Sequence, residues 1–445
     1  MKFDYYINDK QQSCFEAIIE NEEEKRGFRG QAPYSPIELV NNILIVNYVS
    51  KKDLHPDIIA SICITAFFPF IKNNVTVPLA VSRHFANSIH KYLLLKEMVQ
   101  NEYISTNNIL ILNVDDSLEP YSNIGTETVI SYSGGMDSTS VALLLPNAPL
   151  ISTNNFKTPL PLKNVVKNYT KENLRNKHYF IEINCDELCF PGGFTTWTNI
   201  YIAPLILSSD LNIKNICSGT PMTARLITNK HTFYKGFRES GGWEFFYKKI
   251  GLHMFSPILG CSELVSAKIV YKNNLGNKVL YCEKKDGFPC FQCFKCFRKT
   301  LQLAYHGLPI QFDHYDEKSI TYFLTTRPID NRLPNKNPRK NTCTMPIVQG
   351  SAFLTNIDNI LESLKKVKSV PSYMEKCVID LLPLNTALFN KIYKKSFDTF
   401  PEELKKSLEI ELSKYGDFMN HEEEKYLENY DLKEYIFQNN MKLFF

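Results

Sequence analysis

The run Ser133-Gly134-Gly135-Met136-Asp137-Ser138 carries the residue types needed to hold an anion. It follows the apolar stretch Val129-Ile130-Ser131-Tyr132 and leads through Thr139 into a helical pattern. Two adjacent glycines let the backbone turn tightly and approach a ligand. The unpaired N–H groups that open the next helix would face that ligand, and the helix dipole favours negative charge there. Ser133 and Ser138 add hydroxyl donors, with Ser131 and Thr139 flanking them. Asp137 alone would repel phosphate, so its natural partner is a Mg²⁺ bridging phosphate oxygens. The Walker pattern Gly-x4-Gly-Lys-Ser/Thr is missing and the loop itself holds no lysine, which argues against γ-phosphoryl transfer.

A second cluster is made of thiols. Cys282, Cys290, Cys293 and Cys296 are spaced C-x7-C-x2-C-x2-C. Thiolates two residues apart on a tight turn can converge on one ion, and four satisfy tetrahedral Zn²⁺. Lys284, Lys285, Lys295, Arg298 and Lys299 stand close in sequence and would offset the negative charge of four thiolates. An iron–sulfur cluster is the rival, but the bacterial ferredoxin run wants a further Cys followed by Pro, and Phe297-Arg298 follow here. Zinc is therefore the favoured metal. The scattered cysteines, including Cys185 and Cys189, suit small core positions. His231, His253 and His306 lack ligand spacing, and no Ser/His/Asp nucleophile set suggests itself.

These groups need a scaffold. The chain has 445 residues, 44% hydrophobic and 13% aromatic, enough for a sizeable core and too apolar for wholesale disorder. Its 51 Lys and Arg against 47 Asp and Glu are too balanced for a wholly basic nucleic-acid binder. Residues 127–310 hold 21 basic and 12 acidic side chains, an excess that suits an anionic ligand. Met1 to Lys10 is polar and lacks a signal-peptide pattern, and the apolar stretch Ile58–Ile71 is short and contains Pro69. A cytoplasmic, reducing location without membrane partners is expected. Pro56 and Asp57 are suited to open a helix there.

Apolar runs of strand length alternate with helical patterns in the middle third. Strands are expected at Thr128–Tyr132, Leu150–Thr153, Tyr179–Asn184 and Ile213–Cys217, with helices at Ser138–Leu145 and Ile200–Ser209. This alternation predicts an α/β fold, a parallel sheet with helices on both faces, whose ligands bind beyond the carboxyl ends of the strands. Residues 1–126 read as an α+β accessory domain, including a weakly alternating strand over Asn108–Val114. Residues 311–350 read as a basic, Pro-containing connector with Arg332, Lys336, Arg339 and Lys340, more suited to a solvated loop than to nucleic acid. Residues 351–445 turn helical, with Leu354, Ile357, Leu361 and Leu364 at helical spacing.

The Ser-Gly-Gly-x-Asp-Ser loop resembles that of the PP-loop ATP pyrophosphatases, whose core is adenine nucleotide α-hydrolase-like. With the downstream cysteines, the chain resembles 7-cyano-7-deazaguanine synthase over about residues 127–310. Ile216-Cys217-Ser218-Gly219-Thr220-Pro221, Arg225, and Phe255-Ser256-Pro257 with the helix near Ser262 resemble later stations of that family. The resemblance implies ATP and Mg²⁺ at Ser131, Ser133, Gly134, Gly135, Asp137, Ser138 and Thr139, and a structural Zn²⁺. It implies attack of a substrate carboxylate on the α-phosphate and release of AMP and pyrophosphate, then C–N bond formation. Asp137 and Arg225 take the catalytic positions, while Ser218, Gly219, Thr220, Lys235 and Arg238 are candidates for substrate contact. The family's Pro-Gly-Arg-Asn segment appears as Gly192-Gly193-Phe194-Thr195-Thr196-Trp197-Thr198-Asn199, without the Arg. The substrate is thus a small-molecule or protein-borne carboxylate of open identity, and a homodimer is compatible with the reading. An RNA-modifying PP-loop enzyme of the thiolase-like kind and a non-catalytic, ATP-sensing subunit are the alternatives.

Overall fold

The computed structural model describes residues 1–29, 35–72, 74–89, 111–121, 125–156, 160–193, 197–222, 226, 247–248, 251–280, 282, 288–290, 294–308 and 386–429. Thirteen strands are seen there: β1 Lys2–Ile7, β2 Ser13–Ile18, β3 Arg26–Arg29, β4 Ser35–Leu39, β5 Ile43–Val46, β6 Val81–Ser82, β7 Val114–Asp115, β8 Glu127–Ser131, β9 Leu150–Asn155, β10 His178–Ile183, β11 Cys189–Phe190, β12 Ile213–Cys217 and β13 His253–Phe255. The α-helices of the same residues are α1 Pro56–Phe67, α2 Arg83–Ser88, α3 Met136–Leu144, α4 Leu160–Asn173, α5 Ile202–Ile206, α6 Glu263–Lys272, α7 Phe294–Tyr305, α8 Glu402–Ser413 and α9 His421–Glu428.

The protein is α/β, built on a mixed, mostly parallel eight-stranded sheet. Its order is β1-β2-β5-β10-β9-β8-β12-β13. The five strands from β10 to β13 run parallel, and β1, β2 and β5 join them antiparallel. The expected parallel sheet is thus extended by an N-terminal antiparallel half. Strand β5 meets β10 through the pair Val46 and Ile183, so the sheet runs across the boundary expected at residue 126.

Side chains alternate between the two faces, as the two-residue period of a strand requires. Val129, Ile151, Ile181 and Ile216 pack with Ile58, Ile62, Leu205 and Ile206 of α1 and α5. Ile130, Leu150 and Cys217 pack with Val141 of α3, Val265 and Ile269 of α6, and Leu408 and Leu412 of α8. Both faces are covered, which is why these strands are apolar at successive positions rather than at every second one. Helix α1 is buried from Asp57 to Phe67 and apolar nearly all round, as a helix enclosed by protein must be. It opens at Pro56 as expected and gives way to a short 3₁₀ turn over Phe68–Phe70, where Pro69 has no N–H to continue the α-helical ladder.

Strand β12 has the bounds expected of it, and β8, β9 and β10 differ from expectation by a residue or two. The expected helix Ile200–Ser209 is a 3₁₀ segment, Trp197–Tyr201, followed by the shorter α5. Of Asn108–Val114, Ile111 bridges to Val75 and Val114 begins β7, while 108–110 lie outside the described residues. The connector 311–350 and the helical spacing over 354–364 also lie outside them. Among the described residues, no helix is long and apolar enough to cross a membrane.

Candidate functional site

The parallel strands run in the order third, second, first, fourth, fifth, counted from β8 along the chain. After β10 the chain returns to the other side of β8, so the direction of winding reverses between β8 and β12. In open α/β sheets the crevice beyond the carboxyl ends at such a reversal is where ligands bind. Here the two loops flanking it are Tyr132–Gly135 and Ser218–Thr220.

Each loop is shaped by its own residues. Gly134 has φ +78, a conformation that costs an L side chain and leads the chain out of β8. Gly135 is extended, with φ −77 and ψ 170, and caps α3 with no side-chain hydrogen bond. Ser138 Oγ donates to the Gly135 carbonyl at 3.1 Å and accepts from Ser133 N at 3.3 Å, and the two serine hydroxyls lie 3.1 Å apart. The serines expected to donate to a ligand thus brace the loop against itself. Among the described residues, no acceptor is bonded to the N–H groups of Met136 and Asp137. A Cβ on Gly135 would meet Ser133 Oγ at 3.4 Å and the Leu280 carbonyl at 3.8 Å, ordinary contacts that a single added methyl group can make.

Ser131 and Thr139 each make a hydrogen bond within the fold. Ser131 Oγ donates to the Ile200 carbonyl at 2.8 Å, and Thr139, fully buried, places its Oγ1 3.2 Å from Tyr132 Oη. Ser218, Gly219 and Thr220 do come to the phosphate-type loop. A Cβ on Gly219 would stand 2.6 Å from Ser138 N and 2.8 Å from the Asp137 carbonyl carbon, so only glycine lets this backbone lie against the first turn of α3. Ser218 Oγ and Thr220 Oγ1 are 3.0 Å apart, and Ser256 Oγ holds both the N–H and the carbonyl of Thr220, at 3.2 and 2.9 Å. Arg225, Lys235 and Arg238 lie outside the described residues.

Three of the four cysteines are described, and they converge. The sulfurs of Cys282, Cys290 and Cys296 lie within 4.8 Å of one another, and the Cys290 and Cys296 sulfurs are 3.8 Å apart. With Zn–S near 2.3 Å, two thiolates on one tetrahedral ion stand about 3.8 Å apart. The described sulfurs are therefore close enough to share one ion. Cys293 lies outside the described residues. Cys282 and Cys296 share a core with Met136 of the loop helix and with Ala267 and Val270 of α6. The thiols of Cys63, Cys185, Cys217 and Cys261 are fully buried, and burial pushes their pKa values up, as suits inert core residues.

The sequence reading missed one element of the site. Lys299 places its ammonium 3.2 and 3.4 Å from the two carboxylate oxygens of Asp137 and 3.6 Å from Glu263 Oε2, and it is only 2% exposed. The loop lacks a lysine in sequence, but one reaches it in space. That qualifies one premise of the argument against γ-phosphoryl transfer, although the ammonium is engaged by the Asp137 carboxylate. Lys299, expected among the cations near the thiolates, forms an ion pair with the loop. Glu263 also meets Arg298 at 3.5 Å and accepts from Gln302 at 2.5 Å. Burial opposes its charge, but Arg298 and Lys299 outweigh this and hold its carboxyl well below the usual range. The signal was in the helix period: Cys296, Lys299 and Leu303 fall at i, i+3 and i+7, and all face inward.

A family model described as a family of unknown function, DUF6395, matches residues 242–431. That span holds β13, the cysteines, α6, α7 and the C-terminal helices, and begins downstream of the loop at 131–139. No curated protein matches the chain.

Proposed function

We propose that the chain is an ATP-dependent, adenylate-forming enzyme of the PP-loop type, 7-cyano-7-deazaguanine synthase-like in its chemistry. The observation that carries this is the position of Ser133-Gly134-Gly135-Met136-Asp137-Ser138: a tight glycine turn at the winding reversal between β8 and β12, opening into helix α3. Its amides and the helix dipole suit the β- and γ-phosphates of ATP. The α-phosphorus would then face Ser218–Thr220, the neighbouring strand end. A substrate carboxylate attacks there, the α–β phosphoanhydride bond breaks, and pyrophosphate leaves with its charge on the loop. Mg²⁺, when bound, would neutralise phosphate oxygens, and at Asp137 it would share the carboxylate with Lys299. The cysteines would hold a structural Zn²⁺ that fixes α7 against α3 and α6.

The test is incubation of the protein with α-labelled ATP, Mg²⁺ and a panel of carboxylates, followed by separation of the nucleotides. AMP with pyrophosphate is expected, and ADP as the sole product refutes the reading. Gly135→Val supplies the control. A Cβ at Gly135 makes only ordinary contacts, while the branched side chain stands where phosphate must approach, so ATP binding is lost in a protein that circular dichroism shows to be folded. Unchanged ATP affinity in that variant removes the loop from the mechanism.

A further inference from the structure

The pair of Lys299 and Asp137 joins the cysteine-bearing helix to the loop, and its chemistry is more specific than packing. Asp137 stands on the first turn of α3, beside the N–H groups that would meet phosphate. An uncompensated carboxylate there opposes an incoming polyanion, and the opposition is stronger where water is excluded. A buried ammonium in turn needs a counter-charge. Lys299 finds Asp137 on one side and Glu263 on the other, while Arg298 gives Glu263 a second cation, so two positive and two negative groups balance under the loop.

We infer that Lys299 is a positioning residue of the phosphate site, which cancels and orients the Asp137 carboxylate so that the loop can accept a polyphosphate. This rests on the ATP reading. The positive charge that the loop lacks in its own sequence is delivered 162 residues downstream. Lys299 acts through Asp137 rather than by touching phosphate, and that sets its signature: its contribution disappears when Asp137 carries no charge.

The experiment is a double-mutant cycle on the full chain, with Mg²⁺-pyrophosphate as the titrant in calorimetry. Circular dichroism confirms that each protein is folded at the working temperature. Lys299→Met should weaken pyrophosphate binding about tenfold or more, the effect of exposing one unit charge near the ligand. In an Asp137→Asn background the same substitution should change affinity less than about twofold. The double variant removes both partners and leaves no unpaired ammonium, so it keeps the cycle readable if Lys299→Met folds poorly, with Lys299→Gln as the replacement single variant. A folded Lys299→Met with wild-type affinity overturns the inference. So does an equal loss in both backgrounds. Failure of the wild-type protein to bind Mg²⁺-pyrophosphate instead overturns the ATP reading and this inference with it.

Discussion

Gly219→Ala is the sharpest test of how the site is assembled, because the cost can be worked from the backbone alone. The added Cβ would lie 2.6 Å from Ser138 N, 2.8 Å from the Asp137 carbonyl carbon and 2.8 Å from Ser138 Cα. All three are backbone atoms on the first turn of α3, so no flexible side chain can yield. Overpacking of this kind costs about 1–3 kcal/mol, and a collision with fixed backbone belongs at the upper end. Loss of glycine's freedom in the unfolded chain returns about 0.4–1 kcal/mol where, as here, φ is not positive. The expected net loss is about 2 kcal/mol, read by equilibrium urea unfolding as a midpoint lowered by about 0.5 M, since m grows with chain size. Gly135→Ala is the internal control, since its Cβ would make only ordinary contacts at 3.4 and 3.8 Å. A Gly219→Ala protein as stable as Gly135→Ala would refute the close approach of the two strand ends, and with it the crevice.

Gly260→Ala should dislodge the C-terminal segment, because its Cβ would collide with Ser396 Oγ and the Tyr393 carbonyl. Stability should fall by about 2–3 kcal/mol and proteolysis within 386–429 should accelerate; an unchanged digestion pattern contradicts the docking. Elemental analysis should find one zinc per chain, lost with Cys296→Ser together with more stability than any surface substitution costs; iron with a visible absorption band, or no metal, contradicts it. Acid should weaken the fold between pH 6.5 and 4. Burial lowers His178 and His306 to about 4, so the folded state resists protonation that the unfolded chain accepts from its ordinary value of 6.5 downward. Stability is full above that range and falls through it, by at most about 2 kcal/mol per histidine at pH 5. Urea midpoints at pH 7 and pH 5 check this, and a His178→Gln protein with an undiminished pH effect would count against its share.

The parallel core was open to sequence reasoning because its signals are local. A β-branched run, a glycine pair and a helical pattern follow one another within about fifteen residues at 129–144, and no distant partner is needed to interpret them. Strand β12 was readable for the same reason. Helix α4 was not: its sequence, Leu160-Pro161-Leu162-Lys163-Asn164-Val165-Val166-Lys167-Asn168-Tyr169-Thr170-Lys171-Glu172-Asn173, is polar with few apolar anchors, and Pro161 resembles loop punctuation although it suits a first helical turn. The N-terminal strands were hidden for another reason. Their place in the sheet rests on long-range pairs such as Val46 with Ile183, which no periodicity encodes. For Ser131 and Thr139 the motif records residue types but not direction, and in the structure their hydroxyls bond Ile200 and Tyr132. Lys299 escaped because proximity in sequence to the thiolates was weighed above its face of the helix.

The span matched by the family model cannot carry the site alone. Residues 242–431 supply β13, whose neighbour in the sheet is β12 at Ile213–Cys217, outside the span. They supply α6, which packs on α3 of the loop, and Lys299, whose nearest carboxylate is Asp137. A fragment of that span would expose Val265 and Ile269, which pack in the core with Ile130, and would leave a buried ammonium with Glu263 but without Asp137. Conversely, the loop at 131–139 depends on the span: Leu280 lies beside the positions where a side chain on Gly134 or Gly135 would project, with Val166 of α4 on the other flank. Loop, strand end and cysteine helix therefore fold as one sheet-bound unit. On the reading proposed above, the matched span acts through its contact with Ser133–Ser138, and a closed four-cysteine ion would serve the fold, with no open position for substrate.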